Sequence, residues 1–126
     1  ATDSIIENGK GHPRTAGTFT RVLGKYVREN RDLTLIDAIA KMTLLPAKRL
    51  ETRTPAFRRK GRIQVGADAD ISVFDPSTVQ DRSTYSQPTL PPTGMNYVIV
   101  NGVVVVSSGH LESGSLPGRG IRSLTP

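Results

Sequence analysis

The sequence predicts an α+β fold, and three observations carry that reading. Apolar residues recur at helical spacing through roughly the first fifty positions. A Gly- and Asp-punctuated, β-branched composition replaces them after Lys60, and an Asn-Gly pair at 101 and 102 stands between two valine-rich runs.

Residues 1–17 hold three glycines and one proline and read as a loop following a strand end. From Thr18 onward, Phe19, Val22, Leu23, Tyr26 and Val27 form the stripe of an amphipathic helix, with Arg21, Lys25 and Arg28 on the opposite, solvated face and Asn30 as its stop. Thr34 and Asp37 match a capping box, in which a hydroxyl and a carboxylate satisfy the first free N–H groups, so a second helix is expected from Leu35 to Leu44. Pro46 disfavours helical geometry at Leu45 and suits a first helical position, which predicts a separate short turn of helix to Glu51. Thr52–Lys60 reads as a basic linker, Asp70–Phe74 as a strand, and 76–94, with Pro76, Pro88, Pro91 and Pro92, as a long loop. Asn96–Val100 and Val103–Ser107 should pair through a type I′ turn at Asn101-Gly102, because those two residues tolerate positive φ. The run Val103–Val106 reads as a strand buried on both faces. Gly109–Ser113 should continue or bend that strand, and the Gly- and Pro-rich tail should run extended.

With 126 residues the chain is one ordinary domain in length, and its first residue is Ala rather than Met, as in a processed end or a piece of a longer chain. The net charge of +6 is uneven: residues 1–66 hold 14 Lys/Arg against 6 Asp/Glu, and residues 67–126 hold 3 against 5. The basic half admits a stand-alone module binding nucleic acid through residues 48–62, where Arg58-Arg59-Lys60 and Arg62 cluster. Three Phe, three Tyr and no Trp are few for a base-stacking surface, so nucleic acid is not the expected partner. No apolar run is long enough for a bilayer-spanning helix and no signal-peptide pattern opens the chain, so no membrane partner and a cytoplasmic location are expected. There is no cysteine, and His12 and His110 are the two histidines. Without HxH, HExxH or GxSxG, no complete hydrolytic or zinc centre can be assembled from this stretch. The candidates left are Asp3, His12 and Arg14 in the first loop, although a lone Asp there is ordinarily a turn former.

Three groups of motifs resemble the C-terminal end of the amidohydrolase superfamily, within it the N-acyl-D-amino-acid deacylase (D-aminoacylase) branch. The first is Thr2-Asp3-Ser4 with His12-Pro13-Arg14, Gly17-Thr18-Phe19 and Arg21-Val22-Leu23. The second is Ala38–Thr43 with Pro46-Ala47. The third comprises Gly61-Arg62-Ile63, Gly66, Ala69-Asp70, Phe74-Asp75-Pro76, Val98–Gly102 and Pro117-Gly118-Arg119. Thr54–Arg59 departs from the family's compact link.

The resemblance implies the last strand and helices of a (β/α)8 barrel in residues 1–52, followed in 53–126 by the C-terminal part of a small accessory β domain that the family builds from both chain ends. It implies zinc in the parent enzyme but none in this chain alone. Asp3 takes the place of the family's strand-end carboxylate, which shuttles a proton beside the zinc-bound water and can touch the metal. Arg14 would recognise the substrate carboxylate through its bidentate guanidinium, with His12 holding the substrate or the loop. The expected partners are the remainder of the parent enzyme and a small N-acyl amino acid, with the chain inactive in isolation. Self-association of the isolated chain is expected, because the 19–27 stripe and the hairpin edge lack their cover. A structural or assembly role for the β unit is the remaining alternative.

Overall fold

In a computed structural model that describes residues 3–122, the chain opens with a small hairpin rather than a loop. Strands β1 (Ile6–Glu7) and β2 (Lys10–Gly11) pair antiparallel. Asn8 and Gly9 turn between them at φ 49° and 75°, the two left-handed positions that a tight hairpin requires. Helix α1 (Arg14–Arg21) begins four residues earlier than the stripe predicts. Pro13, at φ −53°, already holds the geometry of a helix start and has no N–H to lose there. The helix then runs on as a π-helical stretch (Val22–Glu29), with the Asn30 N–H donating to Lys25 O at 2.8 Å. Arg31, left-handed at φ 60°, ends it.

The face that packs is not the predicted one. Of the expected stripe only Leu23 is buried, while Phe19 and Tyr26 remain 53% and 40% exposed. Gly17, Thr20 and Gly24 are buried beside Leu23, against residues 79–83 of the proline-rich loop. Two physical reasons apply: the 3.6-residue stripe drifts where hydrogen bonds skip five residues, and glycines let backbone approach backbone more closely than leucines would.

Helix α2 (Leu35–Met42) starts one residue after Thr34, which puts Thr34 and Asp37 at the capping positions. It ends two residues short of Leu44, and α3 (Leu44–Glu51) begins before Pro46 rather than at it. The break lies at Thr43, φ −128° and ψ −76°. Pro46 is the third residue of α3, where an N–H has no intrahelical acceptor in any case, so the proline costs no hydrogen bond. The expected linker contains a 3-10 helix, Pro55–Arg59.

Strands β3 (Ile71–Phe74), β4 (Met95–Val100), β5 (Val103–Ser107) and β6 (His110–Leu111) form one sheet in that order. The β4–β5 turn is as predicted, with Asn101 and Gly102 at φ 50° and 81°. Ser108 and Gly109, at φ 50° and 78°, repeat the device, so His110 and Leu111 fold back on β5 instead of continuing it. A β-bulge lies where Val98 faces Val106 and Ile99 faces Val104. Burial of β5 on both faces is not observed: Val103 and Val104 are 43% and 41% exposed, because nothing among the described residues covers that end of the strand. Nor does the tail, 112–122, form a strand.

The chain groups into two compact units, residues up to 35 with 74–95, and 36–73 with those from 96 on. The first is centred on Leu23, Val79 and Pro88, the second on Ala38 and Ala47. This grouping follows contact in space, whereas the boundary expected at 52/53 rests on the resemblance.

Candidate functional site

A half-open cleft of about 690 Å3 lies along one flank of α1 in the first unit. His12, Arg14, Arg21, Tyr26, Asp81 and Tyr85 stand on its walls. Two of the three residues singled out in the sequence, His12 and Arg14, therefore share one site. Asp3 is exposed on the stretch before β1 and is not part of the cleft wall. Its neighbour Ser4 is hydrogen-bonded to Thr15 in the first turn of α1, and the Thr15 hydroxyl donates to His12 O at 3.0 Å.

The cleft's other wall comes from the loop, which sequence patterning leaves without structure. Asp75 starts it: Ser77 Oγ donates to Asp75 Oδ1 at 2.7 Å, and the Thr78 and Val79 N–H groups return to Asp75 O. The Ser77 hydroxyl, its N–H and the Thr78 hydroxyl together hold the Asp75 carboxyl below the usual carboxylate range. That turn drives Val79 into the core, 1% exposed, with its carbonyl accepting from Arg28 Nη1 at 2.6 Å. Asp81 then pairs with Arg21 at 3.2 Å and takes the Ser83 N–H at 2.8 Å. The Ser83 hydroxyl lies 2.7 Å from Asp81 Oδ1 and 2.8 Å from Pro13 O, and its one proton serves both. A Cβ at Gly17 would collide with Asp81 and Ser83, so the loop docks on α1 only because position 17 is glycine. The sequence signals for this wall are slight: the Asp-x-Ser spacing of an Asx turn at 81–83, and a lone aromatic, Tyr85, in a Ser- and Pro-rich loop.

Tyr85 completes the site. Its hydroxyl is 3.2 Å from His12 Nε2, and the two rings meet edge to face at 5.2 Å. On its other side the imidazole Nδ1 accepts the Arg14 N–H at 3.1 Å.

In the second unit, residues that look reactive in sequence serve the fold. Asp70 Oδ1 accepts the Asn101 N–H at 2.7 Å and Ala69 O accepts the Gly102 N–H at 3.0 Å, so the Ala-Asp pair clasps the hairpin turn. Asp70 also bonds Lys60, which lies 3.0 Å from Asp68. The Lys60 hydrogen bond, followed by the Asn101 N–H, holds the Asp70 carboxyl below its ordinary value, and the Asp70 hydrogen bond raises Lys60. Arg59 pairs with Asp68 at 3.4 Å and Arg62 with Glu51 at 2.8 Å. Three of the four clustered cations of the 48–62 segment are thus spent on carboxylates of this chain. His110 lies on β6 in this unit with Nδ1 2.9 Å from Ser108 O, while His12 belongs to the first.

Among the described residues no group of three or more His, Cys, Asp or Glu is placed to hold a metal, and this includes Asp3. The residues described do not by themselves fit a zinc site. No helix among them is long and apolar enough to cross a membrane.

Known proteins resemble almost the whole chain. It is 49% identical over 104 residues to N-acyl-D-glutamate deacylase of Alcaligenes xylosoxydans xylosoxydans, which covers 82% of this chain and 20% of that protein. To D-aminoacylase of the same organism it is 40% identical over the same shares. The crystal structure of N-acyl-D-glutamate deacylase from Bordetella bronchiseptica, complexed with zinc and a phosphonate mimic of the tetrahedral intermediate, superposes with a TM-score of 0.79 at 46% identity, over 90% of this chain and 23% of that one. A D-aminoacylase structure gives a TM-score of 0.78 at 37% identity, over 91% and 23%. The chain therefore spans about a fifth of the length of the relatives it matches. Residues 1–106 match the Amidohydrolase family, and with so much of the sequence matched the chain belongs to that family.

Proposed function

We propose that these residues are the C-terminal portion of a zinc-dependent N-acyl-D-amino-acid deacylase, residues 1–52 ending its barrel and 53–126 completing its small β domain. The 46% identity and TM-score of 0.79 over 90% of the chain to a deacylase crystallised with zinc and an intermediate mimic carry this reading. The partner is then the remainder of the same enzyme. Zinc would be held there by residues outside this stretch, with Asp3 the carboxylate this chain would bring to the site.

Within that assignment Asp3 works as a proton carrier. Its carboxylate takes one proton from water as the water oxygen adds to the amide carbonyl carbon, and gives that proton to the nitrogen as the C–N bond breaks; the second proton of the water leaves the new carboxylic acid for solvent, so the products are a carboxylate and a free amine. Arg14 binds the substrate carboxylate, for which its planar fork of N–H donors is matched. The test is the full-length zinc-loaded enzyme assayed on N-acyl-D-amino acids. Asp3→Asn keeps the shape and removes the proton acceptor, so turnover should fall by at least about 10²-fold with little change in zinc content. Near-normal turnover in that variant, or no hydrolysis of any N-acyl-D-amino acid by the unaltered enzyme, overturns the reading.

A further inference from the structure

We infer that Tyr85 is a positioning residue for substrate recognition, acting through His12 on the backbone of Arg14; this rests on the assignment of Arg14 to the substrate carboxylate. The imidazole of His12 has both nitrogens engaged. Nδ1 accepts the Arg14 N–H at 3.1 Å, so in the neutral ring the proton sits on Nε2 and is donated to the Tyr85 oxygen at 3.2 Å. With neither nitrogen free, His12 serves the loop rather than the ligand: it is a strut between the Tyr85 hydroxyl and the main chain of Arg14. The edge-to-face contact fixes the plane of the strut as well as its length.

Tyr85 is itself held by its neighbours and not by burial. It is 74% exposed, but two residues earlier Ser83 is buried and bridges Asp81 to Pro13, the residue between His12 and Arg14. The segment 81–85 thus grips His12-Pro13-Arg14 at two points, one through a carbonyl and one through a ring. A guanidinium recognises a carboxylate only when the whole fork is aimed, so an Arg14 main chain free to swing loses affinity more than it loses chemical rate.

The test uses the full-length enzyme with Tyr85→Phe, Tyr85→Ala and Arg14→Lys, each assayed on an N-acetyl-D-amino acid and on its α-carboxamide. Because Tyr85 is exposed, its replacement should spare the fold. Tyr85→Phe should raise KM for the carboxylate substrate about two- to threefold, within the range for one ordinary hydrogen bond. Tyr85→Ala, losing the ring contact as well, should raise it about tenfold, with kcat falling less than KM rises and the KM for the carboxamide unmoved. Equal losses on both substrates, or an unchanged KM in Tyr85→Ala, overturn the inference. If Arg14→Lys abolishes the preference for the carboxylate while Tyr85→Ala leaves it intact, the inference alone fails. If Arg14→Lys keeps that preference, the assignment of Arg14 fails and the inference with it.

Discussion

The β4–β5 hairpin and the clasp of α1 and its π-helical continuation with residues 75–85 are both held by glycines, but for opposite reasons. Gly102 is chosen for its backbone: φ is 81° and a Cβ there would meet nothing within 4 Å. Gly24 is chosen for its missing side chain: its φ is ordinary, and a Cβ would lie 2.9 Å from Val79 O and 3.4 Å from the Gln80 Cα. The first kind of glycine acts on its neighbours in sequence, the second on residues more than fifty positions away. Turn chemistry is for that reason readable from a dipeptide, whereas a close packing surface is not.

Substitutions can separate the two kinds. Gly94 combines them, with φ 74° and a Cβ that would strike the backbone of Val79. Gly94→Ala should therefore cost most, about 2–5 kcal/mol from left-handed strain and overpacking together, read as lost amide protection through 75–83 in hydrogen exchange. Gly24→Ala sets two effects against each other, a helix-propensity gain of about 1 kcal/mol and an overpacking cost of about 1–3 kcal/mol. A net destabilisation of up to about 2 kcal/mol is expected, and a stabilised variant would show that the π-helical stretch and the loop are not in tight contact. Gly102→Ala should cost about 1–2 kcal/mol, confined to β4 and β5, since only the backbone objects. If it disturbs protection in the clasp, the contrast between local and distant glycines is wrong.

The smallest effect is electrostatic. The Asp70 pKa is depressed, so its contribution is present above the unfolded carboxylate value and fades as pH falls through the lower folded one. Lys60 is raised, so its contribution is full below the unfolded amine value and fades as pH rises through the folded one. Protection of the Asn101 amide should accordingly be flat from about pH 5 to 9 and weaken in acid and in strong alkali, by under about 1 kcal/mol for a pair so near solvent. A monotonic dependence across that range would show that the carboxylate does not hold the turn.

Much of the second unit is legible in the sequence. Asn101-Gly102 specifies its turn, and Thr34 with Asp37, at the junction of the two units, places the start of α2 to the residue, because these signals act over two to four positions. The first unit is read less well. Phe19 and Tyr26 look like core and lie exposed, while Gly17, Thr20 and Gly24, which an apolar pattern passes over, form the packed face. Arg28 reads as solvated, yet it spends its donors on Pro76 O, Val79 O and Gln80 Oε1. Of the site, His12 and Arg14 are legible through their motif, but Ser83 and Tyr85 are not: their partners are seventy positions away and no spacing rule reaches that far.

The bulge opposite Val98 and Ile99 bears on a different matter, the uniqueness of pairing. Four consecutive valines carry little information about register, since sliding Val103–Val106 by one or two places still sets valines largely against apolar residues of β4. The turn at Asn101-Gly102 anchors one end of the strand pair, and the bulge takes up the extra residue at Val105, so that Val106 alone can face Val98. A slipped pairing would need a turn at residues unable to take positive φ and a second irregularity to replace the first. The strand with the least distinctive sequence in the chain is thereby left with one place to lie.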